Sequence, residues 1–149
     1  MHTLREITLE EVPIMTPLAT AFYAEADLPG EVIPEVFEEK WKNWINLGIG
    51  FAVGAWNGDD FLGGIGGLLY PAVTDDVIEA AEMFFYILPK ARGSRVGADL
   101  LDEFERVGTE KGAQRIAMIC LTDETGEIMD KAYRKRGYRP VEVRYCKEV

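Results

Sequence analysis

An unbroken apolar run, Met83 to Leu88, ends at Pro89 and leads straight into a basic, glycine-bearing turn. That junction leaves the chain few folds. The run alone would suit a buried central strand or a piece of core helix. Pro89 decides for the strand, because it disfavours helical backbone at Leu88 and has no N–H to donate. Beyond the turn, Gly97, Leu100, Leu101, Phe104, Val107 and Gly108 recur at helical spacing. Strand, tight basic loop and helix N-terminus in succession expose backbone N–H groups at the positive end of a helix dipole. Such a place binds anions, most often phosphate. It is not a P-loop, since no Gly-Lys-Ser/Thr closes it. Nor is it a dinucleotide fingerprint, since its glycines fall only at Gly93 and Gly97.

Segments on either side set the order of elements. Thr3–Thr8 reads as a short strand, and Thr16-Pro17 as a helix start that runs until Leu28-Pro29-Gly30. A second helix begins near Pro34, with Phe37, Trp41, Trp44 and Ile45 as its core stripe. Strands at Ile49–Trp56 and Phe61–Tyr70 are joined by Asn57-Gly58-Asp59-Asp60, a hairpin signal. The glycine row Gly63-Gly64-Ile65-Gly66-Gly67 continues the second strand, so it reads as bulges or close backbone approach and not as a phosphate loop. Strand Ile78–Leu88 and helix Ser94–Lys111 follow, the helix ending at Gly112. Arg115–Leu121 reads as a further strand, and Asp123 or Thr125 opens a helix with Ile128, Met129, Ala132 and Tyr133 on its buried stripe. Lys131, Arg134, Lys135 and Arg136 crowd the end of that helix as a solvated face that suits its dipole. Val141–Lys147 closes the sheet. The order is β-α-α-β-β-β-α-β-α-β: one domain over residues 1–149, of α/β (α+β) class, with a mixed, mostly antiparallel sheet and about four helices.

Composition narrows the function. At 149 residues and 48% hydrophobic, the chain can bury a core without staples. A net charge of −10 argues against nucleic acid or an anionic membrane as partner. No apolar run approaches the ~20 residues of a membrane span and no signal peptide is evident, so the expected location is cytoplasmic. Cys120 and Cys146 follow no metal or redox spacing and read as reduced cysteines inside strands. His2 is the sole histidine, which removes histidine-based catalysis and zinc ligation. No metal is expected.

The stretch Leu88–Leu101 resembles the acetyl-CoA loop of the GNAT family of N-acetyltransferases. That pattern is (Gln/Arg)-x-x-Gly-x-(Gly/Ala) after a strand ending hydrophobic-x-Pro, then a helix opening with paired leucines. Arg92, Gly93, Val96, Gly97, Leu100 and Leu101 match; Arg95 stands where the pattern has glycine. A second segment, Ala132-Tyr133-Arg134-Lys135-Arg136-Gly137-Tyr138, resembles the family's helix ending Leu-Tyr-x-x-x-Gly-(Phe/Tyr). The likeness covers Ile78–Tyr145 well. At Gly126 the family often has an asparagine that contacts the pantetheine arm.

The resemblance implies the acyl-CoA N-acyltransferase fold, with coenzyme inserted between splayed strands Met83–Leu88 and Arg115–Leu121. It implies an acyltransferase of groups other than aminoacyl, moving acetyl directly from acetyl-CoA to an amine in a ternary complex. The coenzyme set would be Ile87, Leu88, Arg92, Gly93, Ser94, Arg95, Val96, Gly97 and Ala98, with strand N–H groups near Ile87 and Leu88 as oxyanion donors. Tyr133 would protonate the departing thiolate. Glu79 and Glu82 are the candidate bases. Counted inward from Ile87, however, the family's base position falls on Ala81, so neither glutamate is in register: both read as a solvated strand end with the amine proton leaving through ordered water, unless a bulge brings one of them in. Glu25, Asp27 and Glu31, with Asp75 and Asp76, would draw a cationic small-molecule or peptide amine. A homodimer is compatible with all this. The competing reading is a non-catalytic acyl-CoA-binding or regulatory domain of the same fold, supported by Arg95 and Gly126 and opposed by Tyr133.

Overall fold

A computed structural model describes residues 1–149. Strands β1 (Thr3–Glu6), β2 (Gly50–Asn57), β3 (Asp60–Pro71), β4 (Ile78–Ile87) and β5 (Arg115–Ala117) form one sheet in chain order. The first four are antiparallel, and β5 lies parallel to β4, so the sheet is mixed as anticipated. Helices α1 (Thr16–Ala26) and α2 (Pro34–Asn46) cover one face, while α3 (Val96–Glu110) and α4 (Glu124–Lys135) cover the other. A 3-10 helix, Leu9–Met15, precedes α1 and was not foreseen, because Pro13 masks its period.

Each face has its own core. Phe51, Val53, Leu100, Phe104 and Val107 pack on the α3 side, where Phe51 stacks on Phe104 at 5.0 Å between centroids. Val12, Met15, Leu18, Trp41 and Phe84 pack on the α1–α2 side. The two-residue turn at Gly58-Asp59 joins β2 to β3 as the Asn-Gly signal demanded. Rings lie against the glycine row of β3: a Cβ at Gly67 would stand 2.7 Å from Phe104, and one at Gly66 2.5 Å from Phe84. These glycines serve close approach.

Four features depart from the sequence reading. β5 is only Arg115–Ala117, and the expected strand Val141–Lys147 is not formed. Val141, Val143 and Tyr145 alternate as a strand would, yet all are exposed, because hydrogen-bonded pairing along β5 stops after three residues. Both cysteines are exposed and lie outside strands. The Cys120 thiol donates to the Gly126 carbonyl at 3.0 Å. On α4, Ile128 faces water, whereas Tyr133 is buried.

Candidate active site

Strands β4 and β5 pair only through Glu79–Arg115, Ala80–Ile116 and Ala81–Ala117. Beyond them they part, and β4 continues unpaired on that side as far as Ile87. Most of the candidate chemistry is arranged around this opening.

A β-bulge decides which side chains face it. The β3–β4 register runs Gly66↔Phe84 and then Gly67↔Glu82, leaving Met83 as the extra residue. A bulge resets the alternation of a strand. Ala80, Glu82, Phe85 and Ile87 therefore share the α3–α4 side, while Phe84 and Tyr86 turn to α1–α2. The sequence alone favours a solvated strand end and an ordered-water route, and the bulge instead brings Glu82 into register. Glu82 is 3% exposed, accepts from the Ile119 N–H at 3.3 Å, and stands 3.5 Å from the Tyr133 hydroxyl. Burial pushes its carboxyl up from an ordinary 4.5 to about 8, against the opposing pull of those two donors. Burial first, and then the charge of Glu82, raise the Tyr133 phenol well above its usual range.

Glu79 is elsewhere and otherwise engaged. It accepts from Tyr70 at 2.7 Å and from Arg115 at 2.9 Å, bonds that lower its pKa. It lies at the paired end of β4, so it is not brought to Tyr133.

The basic turn follows β4 as a short 3-10 segment, Pro89–Ala91, and then α3. Gly93 has φ +80, a conformation that costs a side-chain-bearing residue and costs glycine nothing. Arg95, at the position where the resemblance has glycine, adopts φ −78 and ψ −5, which arginine reaches without strain. The N–H groups from Gly93 to Ala98 donate to no backbone carbonyl, and only that of Val96 meets a side chain, Ser94 Oγ at 3.3 Å. A row of free donors at the start of a 15-residue helix is a fitting cradle for a pyrophosphate. Gly97 closes the contact between α3 and β4, since a Cβ there would stand 2.9 Å from Ile87 Cδ1.

Two sequence expectations change here. The Leu88 N–H is not free, because it donates to Leu62 O at 2.9 Å. By strand alternation the Ile87 N–H points the opposite way, toward the opening, and of the two is the candidate oxyanion donor. Arg92 does not extend from the loop: its Nε donates to Ile87 O at 2.9 Å and its Nη2 to Glu25 at 3.2 Å. Glu25 in turn accepts from the Tyr86 hydroxyl at 2.7 Å, and Arg92 lies over the Tyr86 ring.

The acidic set expected to draw the acceptor is thus dispersed. Glu25 is tied to Arg92 and Tyr86. Asp75 accepts from its own loop at Val77 and pairs with Arg115 at 3.5 Å. With Asp76 it precedes the paired end of β4, roughly 13 Å of strand from the opening. Asp27 caps α1 in the left-handed region.

Gly126 has a packing cause. A Cβ there would collide with the Leu121 carbonyl oxygen, because the first turn of α4 folds tightly onto the chain leaving β5. The Asp123 carboxylate caps that turn by accepting from the Gly126 N–H at 3.0 Å. At its other end α4 is tied to α3, through Arg136 to Asp102 and Glu105 and through Tyr138 to Glu105. One arginine of the basic run is therefore structural.

What sequence reasoning missed is an apolar pocket on the α1–α2 face, lined by Tyr23, Ile33, Phe37, Trp44, Met83 and neighbours. Phe37 and Trp44 were legible only as a core stripe. Nothing local revealed that their outer edges would stay open.

The model of the acetyltransferase (GNAT) family matches residues 15–138. No curated protein matches the chain in sequence. Among solved structures, the chain is similar to an aminoglycoside acetyltransferase from an uncultured soil metagenomic sample, with TM-score 0.79, 16% identity, and 100% and 99% of the two chains covered. It is similar to a predicted acetyltransferase with acetyl-CoA from Clostridium acetobutylicum, with TM-score 0.81, 12% identity, and 99% and 96% covered. A third is a ribosomal-protein-alanine N-acetyltransferase from Brucella melitensis biovar Abortus, with TM-score 0.75, 16% identity, and 100% and 99% covered. At these identities the likeness is one of fold.

Proposed function

Because the chain belongs to the GNAT acetyltransferase family, we propose that it transfers acetyl from acetyl-CoA, the family's cosubstrate, directly to a primary amine at the parting of β4 and β5. The observation that carries this reading is the buried pair Glu82–Tyr133 beside that parting, on the strand that leads into the N–H groups of Gly93–Ala98, none of which donates to a backbone carbonyl.

In this proposal the donors from Gly93 to Ala98 hold the pyrophosphate, and the Ile87 N–H stabilises the oxyanion. Arg92 braces the loop from behind through Ile87 O and Glu25. Glu82 takes the proton that the attacking amine loses, with water completing the path to a group so buried. Tyr133 gives its proton to the departing sulfur and is reprotonated by Glu82. Atoms and charge balance: the N–H bond of the amine and the thioester C–S bond break, and an amide C–N bond and a thiol S–H bond form. Charge matching makes Glu82 the stronger candidate base, because a carboxyl near 8 lies closer to an alkylamine near 10 than an ordinary one does.

One observation favours a second reading, an acyl-CoA-binding domain without turnover. The raised Tyr133 pKa makes the phenol a weak donor to a thiolate near 8.5. The two readings separate in a single assay. Acetyl-CoA should raise the melting temperature under both, and only the enzyme releases free thiol when amines are added. Absence of stabilisation at millimolar acetyl-CoA would remove both.

A further inference from the structure

The pocket on the α1–α2 face encloses about 300 Å³, at the lower end of the range for small-molecule sites. Its floor is made by Met83 and Phe84, the two residues that follow Glu82 on β4. No strand is paired to β4 beyond Ala81 on that side, so the sheet is open along the edge of the strand that carries both the pocket's floor and Glu82. Its walls are Tyr23 from α1 and Ile33, Val36, Phe37 and Trp44 from the start and inner side of α2. The only charged lining residues are Glu31 and Lys40, one of each sign. Three apolar side chains left substantially in water, Ile33 at 48%, Val36 at 44% and Met83 at 39%, converge on this one place. Exposed apolar groups that gather in a concave site mark a ligand surface, and the reactive pair lies across β4 from this one.

We propose that this pocket receives an aromatic or branched apolar group attached to the acceptor amine. The acceptor is then a primary amine with one apolar substituent, and not a polyamine or an amino sugar. This rests on the acetyl-transfer reading above and sharpens it. A polycation would need several carboxylates facing it. Here the lining has one carboxylate, Glu31, offset by Lys40, while Glu25 is engaged by Arg92 and Tyr86 and Asp75 lies at the far, paired end of β4. The pocket's own charges cancel. The bulge that turns Glu82 toward Tyr133 also presents Met83 to the pocket, so one distortion of β4 serves both the proton path and the acceptor wall.

The test compares kcat/KM for 2-phenylethylamine, 3-methylbutylamine, ethylamine, spermidine and kanamycin at fixed acetyl-CoA, and for dipeptides beginning with Phe or Gly. The expected result is a preference of about 10²-fold for 2-phenylethylamine or 3-methylbutylamine over ethylamine. The Val36→Asp variant should lose most of that preference while acetyl-CoA still raises its melting temperature as in the wild type. A Phe-Gly over Gly-Gly preference larger than that among free amines would assign the apolar group to a peptide N-terminus. Spermidine or kanamycin as the best acceptor would overturn the proposal and leave acetyl transfer standing. Should no amine be acetylated, the transfer reading fails, and tryptophan fluorescence on titration with 2-phenylethylamine decides the pocket. Saturable binding weakened by Val36→Asp upholds it, and no binding overturns it.

Discussion

The Tyr133 hydroxyl stands 3.5 Å from Oε1 of Glu82, and neither residue has more than 6% of its surface in water. Two titratable groups so placed share one proton environment, and each raises the other's pKa when charged. The β-bulge at Met83 creates the relationship, since without it Glu82 would turn to the opposite side of the sheet.

With Glu82 as the proposed base, activity depends on pH. Its carboxyl, raised to about 8, is protonated at neutral pH and accepts a proton only once ionised. kcat/KM should rise with pH and level off above about 8, and Glu82→Gln should flatten that limb while lowering the rate. An unchanged pH profile in the Gln variant would remove Glu82 from the proton path.

The same group links stability to pH. The folded state holds the Glu82 proton more tightly than the unfolded chain does, so this stabilisation is complete below about 4.5 and is lost as pH rises through about 8. Glu82→Gln should therefore gain stability relative to the wild type between pH 5 and 9. Denaturant melts at both pH values read this directly. A difference that does not change with pH would contradict the buried-carboxyl account.

Tyr133→Phe removes one hydroxyl and keeps the ring against Tyr138. Turnover should fall by about 10²–10⁴, the usual worth of a positioned acid, with acetyl-CoA affinity nearly unchanged. A rate within a few-fold of wild type would mean that the ring only packs, and that solvent protonates the sulfur.

Arg92→Ala should weaken acetyl-CoA more than Arg95→Gly, although both are loop arginines. Arg92 fixes the loop to Ile87 O and Glu25, whereas Arg95 is largely solvated and pairs only with Asp99 within its own helix. Loss of the Arg92 bonds should cost the complex about 1–2 kcal/mol. Glu25→Gln should reproduce a smaller part of it. Calorimetry with Arg95→Gly as the weaker binder would transfer the anchoring role to Arg95.

Gly126→Asn, which restores the family's residue, should destabilise this chain by more than 2 kcal/mol, because any Cβ collides with the Leu121 carbonyl. Thermal melts of Gly126→Ala and Gly126→Asn should agree, the cause being the shared Cβ. A neutral Gly126→Ala would show that the first turn of α4 can move aside.

Local chemistry made much of this legible in advance. Pro89 and Gly93 mark the end of β4 and the loop, Asn57-Gly58 marks the hairpin, and Tyr133 lies on a helical stripe that its neighbours announce. What escaped depended on contacts distant in sequence. The Met83 bulge arises from pairing with Gly66 and Gly67, so no window around Glu82 could show which way its carboxylate turns. Glu25 and Arg92 are 67 residues apart, and their pairing converts an expected acceptor residue into a brace for the loop. Val141, Val143 and Tyr145 carry a strand's alternation without a partner to pair with, which pattern alone cannot reveal.

The central claim is acetyl transfer at the parting of β4 and β5, and the most direct measurement is the stoichiometry of a single turnover. Enzyme in excess over acetyl-CoA is mixed at pH 8.5 with whichever amine of the series above has the highest kcat/KM, and free thiol and acetylated amine are quantified together. The account predicts one thiol and one amide per acetyl-CoA consumed, formed at the same rate, with no acetylated protein. Thiol release with no acetylated amine, or acetyl-CoA that stays intact while bound, would contradict it.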